Sequence, residues 1–107
     1  MGSLSFWAGD GEDPVMAEYD VISTTYHRQT AFIVCRLADV VKRGMEEAVG
    51  DEILGDPGYF VFEKHPACVV YRVTAQFPGA DVLVLTFGDL RNEGFENVLR
   101  RAKSRDP

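Results

Sequence analysis

YFVFEKHPACVVYRVTAQFPGADVLVLTF, residues 59–87, is the stretch on which the fold turns. It holds three strand-like runs in quick succession: Tyr59 to Lys64, Cys68 to Phe77, and Val82 to Phe87. Each is rich in β-branched and aromatic residues, the side chains that suit a pleated, half-buried surface. The link Lys64-His65-Pro66-Ala67 is short enough for a tight turn. Phe77-Pro78-Gly79-Ala80 places Pro and Gly where a type II turn wants them. Links this short join antiparallel neighbours, because parallel ones need a crossover of about a dozen residues.

Outward from this meander lie two helical patterns. Upstream, Ile33, Leu37, Val40, Val41, Met45 and Ala48 recur at spacings of three and four, drawing one apolar stripe from about Thr25 or Thr30 to Val49. Gly50 is placed to stop that helix, and Gly44 marks a weak point or a close approach of another backbone. Downstream, Phe95, Val98, Leu99 and Ala102 mark a closing helix, with Asp89 or Asn92 as N-cap. Residues 17–23 (AEYDVIS) alternate in part and read as a short edge strand. The expected fold is α+β in the order β-α-β-β-β-α: an antiparallel sheet of three or four strands with two helices packed mainly on one face. Residues 1–15 read as a mobile acidic arm before a single domain over 16–105.

A chain of 107 residues with 46% hydrophobic and 26% charged residues is composed like one globular domain. No apolar stretch approaches the roughly 20 residues of a spanning helix. The first residues lack the basic and apolar regions of a signal peptide, and Cys35 and Cys68 sit in apolar runs that suit buried, reduced thiols. The expected location is the cytoplasm. A net charge of −6 opposes nonspecific binding to phosphate backbones. Residues 1–20 carry five acids and no base, whereas 91–107 carry five bases against three acids.

No arrangement of residues is diagnostic of catalysis. His65 and Cys68, with His27 and Cys35, have the right chemistry for zinc, but Cys35 falls among apolar helix residues and no Cys-x-x-Cys is present. A His65–Cys68 nucleophilic pair lacks the electropositive setting that a thiolate needs. Tyr26, His27, Asp39 and Glu63 are acid–base candidates without a specific pattern. Gly9-Asp-Gly11 and Gly55-Asp-Pro-Gly58 are not phosphate loops. The α-β-β-β-α order from residue 30 resembles the double-stranded RNA-binding layout, yet Asp89, Glu93 and Glu96 stand where its basic cluster would be.

The sheet has a surplus of apolar faces. Tyr59 and Val61 oppose Phe60 and Phe62, and Val82 and Val84 oppose Leu83, Leu85 and Phe87. If both helices cover one face, the other needs a partner chain, the arm or a ligand. Leu4, Phe6 and Trp7, followed by acids, have the composition of a docking segment. The function expected from these observations is a cytosolic protein–protein interaction module of regulatory, accessory or inhibitor type, a homodimer without its own catalysis. Its expected partner-binding residues are Leu4, Phe6, Trp7, Phe60, Phe62 and Val84, with no cofactor, metal or nucleic acid. The alternatives are a homodimeric α+β enzyme or small-ligand binder, and an acidic immunity or nucleic-acid-mimic inhibitor.

Overall fold

The computed structural model describes residues 2–6, 14–44, 48–75 and 79–107. Five strands form one sheet: β1 (Leu4–Phe6), β2 (Asp51–Glu52), β3 (Phe60–Lys64), β4 (Ala67–Ala75) and β5 (Ala80–Asp89). Among the described residues, three helices accompany them: α1 (Pro14–Thr25), α2 (His27–Arg43) and α3 (Phe95–Arg105). The strand order is β1-β5-β4-β3-β2. β1 lies parallel to β5, and the other neighbours are antiparallel. The chain is thus α+β as expected, with a mixed five-stranded sheet and three helices instead of a purely antiparallel sheet and two.

The edge strand expected over 17–23 is part of α1. Pro14 occupies the first helical position, where its missing N–H costs nothing. From there Val15, Tyr19, Ile22 and Tyr26 recur at spacings of four, three and four and pack into the core. That stripe outweighs the β propensity of Tyr19, Val21 and Ile22. At Tyr26 the backbone leaves helical geometry (φ −126°, ψ 64°) and α2 begins at the next residue. Ile33, Leu37 and Val40 of α2 are fully buried on the sheet, as the stripe requires. Each such side chain contributes about 1.5–3 kcal/mol of burial. α2 ends at Gly44, not Gly50: Gly44 has φ 82° and its N–H donates to the Val40 carbonyl. Only a residue without a Cβ adopts that backbone freely. Residues 45–47, which include Met45 of the expected stripe, lie outside the described residues.

The link between β3 and β4 is the tight turn expected at Lys64–Ala67, and its His65–Pro66 peptide is cis. Phe77 and Pro78 of the second expected turn lie outside the described residues. In β4 and β5 the register runs from Ala67↔Asp89 to Val70↔Thr86, then skips Leu85 to continue at Tyr71↔Val84. This bulge shifts the phase of β5. Val82 and Val84 face α1 and α2 before it, and Phe87 faces them after it. Tyr71 stacks between Phe60 and Phe62 at centroid distances of 5.9 and 5.2 Å, and its hydroxyl accepts the Gly50 N–H at 2.8 Å.

The helices split across the sheet. α1 and α2 cover one face, while α3 lays Val98 and Ala102 on Cys68, Val70 and Leu85 of the other. Gly88 makes that approach possible, since a Cβ there would stand 2.6 Å from Val98 Cγ2. The second apolar face, expected to need a partner, is therefore covered by the chain's own C-terminal helix. The expectation of a homodimer, which rested on a bare face, loses its basis. Among the described residues, no helix is long and apolar enough to cross a membrane.

Candidate active site at one end of the sheet

The expected docking residues separate in the structure. Phe60, Phe62 and Val84 are buried beneath α2 as core. Leu4 is 38% exposed on the outer strand, and Phe6 pairs with Val84 through its backbone. Trp7 lies outside the described residues. Cys68 is buried and its thiol is pushed up to about 12 by desolvation, the opposite of an activated nucleophile. Cys35, expected in the core, is exposed on α2. Asp39 lies along α2, 3.9 Å from Arg36, and Glu63 is exposed on β3. No group of three or more metal-ligating side chains exists among the described residues.

What the fold does bring together is the end of the sheet where β3 turns into β4 and β5 exits. The register Lys64↔Ala67↔Asp89 sets the turn beside the last residue of β5. The Leu90 N–H donates to the Pro66 carbonyl at 2.8 Å and ties the two loops. Tyr26, at the corner between α1 and α2, has its phenol beside the Asp89 carboxylate, and its ring lies 5.5 Å beneath the Arg91 guanidinium. Burial and the Asp89 carboxylate both hold the Tyr26 phenol above its ordinary value. Asp89 also shapes the loop: Oδ1 accepts the Arg91 N–H at 3.0 Å, and Oδ2 accepts from Asn92 Nδ2 at 2.7 Å. It is a turn residue, and Gly94 takes the N-cap position of α3 that was expected at Asp89 or Asn92. Lys64 Nζ sits 4.9 Å over the Phe32 ring, which places it beside α2.

Exposed residues in the segments that meet at Asp89 include His27 and Arg28 at the start of α2, Lys64 and His65 at the β3–β4 turn, and Arg91 and Asn92 in the loop after β5. Side chains of these types can hold a phosphate and pass protons. Sequence reasoning finds Tyr26 and His27 but not this assembly. Its parts come from three separate segments with no fixed spacing, and only the strand register joins them.

Next to this end, a groove of about 390 Å³ runs between α1 and the loop after β5, floored by Ala17, Val21, Ile22 and Phe87. Its far wall is a polar latch. Among the described residues, β1 pairs with β5 as far as Val84, and the edge of β5 continues beyond it. Side chains complete that edge. Arg105 donates to the Leu85 carbonyl at 3.1 Å, Glu18 Oε1 accepts the Phe87 N–H at 3.3 Å, and Arg101 donates to the Phe87 carbonyl at 3.0 Å. Glu18 also receives Arg105 at 2.7 Å, Arg101 at 2.9 Å and the Thr86 hydroxyl at 2.9 Å. Arg101 grips both oxygens of Glu93, at 2.7 and 3.0 Å, and this bidentate bond holds Glu93 below the usual carboxylate range.

No known protein family and no curated protein matches the sequence. Among solved structures, the chain is similar to the E. coli toxin RelE, determined as a double arginine-to-alanine mutant in the free state. The two share 18% identity and a TM-score of 0.64, over 97% of this chain and 96% of that one. At that identity the likeness is one of fold, and it extends over nearly the whole length. It corrects the expectation of a regulatory or inhibitor-type module without catalysis, because the fold it points to is that of a toxin.

Proposed function

We propose that this chain is a cytoplasmic toxin that acts on RNA, with the cluster around Asp89 as its working site. The observation that carries the reading is the near-complete fold likeness to the toxin RelE, joined to exposed cations and histidines in the segments that meet at Asp89. The side chains present suit transesterification by the RNA's own 2′-hydroxyl. One imidazole takes the hydroxyl proton as its oxygen attacks phosphorus, a second group returns a proton to the departing 5′-oxygen, and Arg91, Lys64 and Arg28 balance charge on the phosphorane. His65 and His27 are suited to the proton steps. Tyr26 and Asp89 position the Arg91 loop. The overall charge of −6 opposes nonspecific phosphate binding, so a local cationic patch is needed to hold RNA. A protein partner fits the reading as well, for which Leu4 and Phe32 offer exposed apolar surface.

The test is inducible expression in a bacterial host, followed by growth and by mapping of messenger ends, with purified chain on RNA oligonucleotides in parallel. Growth arrest and new ends carrying 2′,3′-cyclic phosphate are expected. An Arg91→Ala, His65→Ala double variant, altered only at exposed positions, should lose about 10²-fold or more of the cutting. Undisturbed growth with intact RNA, or a double variant as active as its parent, overturns the reading.

A further inference from the structure

We propose that the groove between α1 and the β5–α3 loop seats an unstacked nucleobase, one that presents an amino group at its edge. This rests on the reading of the chain as an RNA-acting toxin and names what lies beside the phosphate. The floor is apolar, with the Phe87 ring, Ile22, Ala17 and Val21, and Val21 is 66% exposed in the middle of a helix, where a solvated face is normally polar. A volume of about 390 Å³ is in the range of small-ligand sites, roughly 300–1,000 Å³. Single-stranded RNA is read by splaying bases out against such surfaces.

The rim decides which ligand fits. Glu18, Asp89 and Glu93 outnumber the one cation, Arg101, so a phosphate is repelled from the groove while a neutral base is not. The N–H groups of Arg101 are directed at Glu18, Glu93, Thr86 and the Phe87 carbonyl, so this guanidinium is committed within the protein. Asn92 spends its amide nitrogen on Asp89, which leaves its carbonyl oxygen as an acceptor at the mouth. The mouth therefore offers acceptors and suits the amino groups of cytosine, adenine and guanine. Uracil has no amino group and flanks its single N3–H with two carbonyl oxygens, which the same acceptors repel. Asp89 and Asn92 border both the groove and the cationic end, so the base and its phosphate would lie on either side of one short turn.

The experiment is titration of the full chain with the 3′-monophosphates of adenosine, cytidine, guanosine and uridine, followed by backbone amide shifts. Saturable shifts at Val21, Ile22 and Asn92 are expected, with uridine binding weaker by about fivefold or more. Val21→Asp should abolish the groove shifts, and Asn92→Ala should narrow the gap between uridine and the others. Equal affinities with shifts confined to His65 and Arg91 would overturn the inference as phosphate binding alone. Groove shifts with a basic amphipathic peptide and none with nucleotides would overturn it in favour of a protein-docking surface. RNA cutting indifferent to Val21→Asp, without groove shifts, sinks the base site and spares the function. Groove shifts in a chain that neither arrests growth nor cuts RNA do the reverse.

Discussion

Replacing Glu18 by alanine should open the latch that joins α1, β5 and α3. The carboxylate receives two arginines at 2.7 and 2.9 Å, the Thr86 hydroxyl at 2.9 Å and the Phe87 amide at 3.3 Å. A hydrogen bond to a charged group is worth about 1.5–3 kcal/mol, and four of them would sum to far more than one side chain contributes. Water recovers part of the loss, because Glu18, Arg101 and Arg105 are 21, 28 and 17% exposed. Both arginines also keep other acceptors. The expected cost is about 2–3 kcal/mol, or roughly 8–12 °C in melting temperature for a domain of this size. Glu18→Gln retains an acceptor for Thr86 and Phe87 and should lose about half as much. Asp20→Ala, an exposed acid removed from the same helix, should stay within about 0.5 kcal/mol. Urea melts of the three variants at neutral pH decide the matter. If Glu18→Ala and Asp20→Ala fall together, the side-chain completion of the β5 edge carries no stability and the reasoning fails.

Arg101 holds Glu93 below its ordinary value of 4.5, so the folded chain binds fewer protons there than the unfolded one. The resulting stability is complete above that ordinary value and disappears as pH falls through the depressed one; the deficit of Glu93→Gln should therefore be larger in melts at pH 7 than at pH 3, and a deficit that grows on acidification contradicts the pairing. Cys35 is exposed and Cys68 buried with its thiol near 12, so a thiol reagent at pH 8 should modify one cysteine quickly and the second only after unfolding. Gly88→Ala would bring a methyl within 2.6 Å of Val98 and 3.0 Å of Cys68 Sγ, and denaturation should show a loss of about 1–3 kcal/mol.

The three-stranded meander and the buried phase of α2 are legible in the sequence because each is a local pattern. Short links dictate antiparallel pairing, and Ile33, Leu37 and Val40 repeat at helical spacing. α1 is concealed by where its pattern begins. Its stripe starts at Val15, inside the stretch whose composition reads as an arm, and only with Val15 and Tyr26 included does the helical period overtake the alternation of AEYDVIS. The parallel β1–β5 pair is out of reach, since Leu4 and Val82 are distant in sequence and nothing local specifies their meeting. The placing of α3 on the opposite face depends on Gly88, which reads as a plain strand exit and in the fold is the gap that admits Val98. The candidate site is the least legible part, because Tyr26, His65 and Arg91 share no element and meet only through strand register.

The extra residue at Leu85 acts as a counter for everything downstream of it. Alternation along a strand is binary, so one residue more or fewer exchanges the two layers that the strand separates. Were the bulge ironed out with Leu85 kept in the ladder, β5 would send the Thr86 hydroxyl into the oily layer under α2. The Phe87 ring would turn toward Val98, and Asp89 would face away from Tyr26. The scaffold and the cluster at its end are thus set by a single parity. The bulge must therefore be kept, or be lost together with one residue between Val84 and Asp89, for the working end to stay on its side of the sheet.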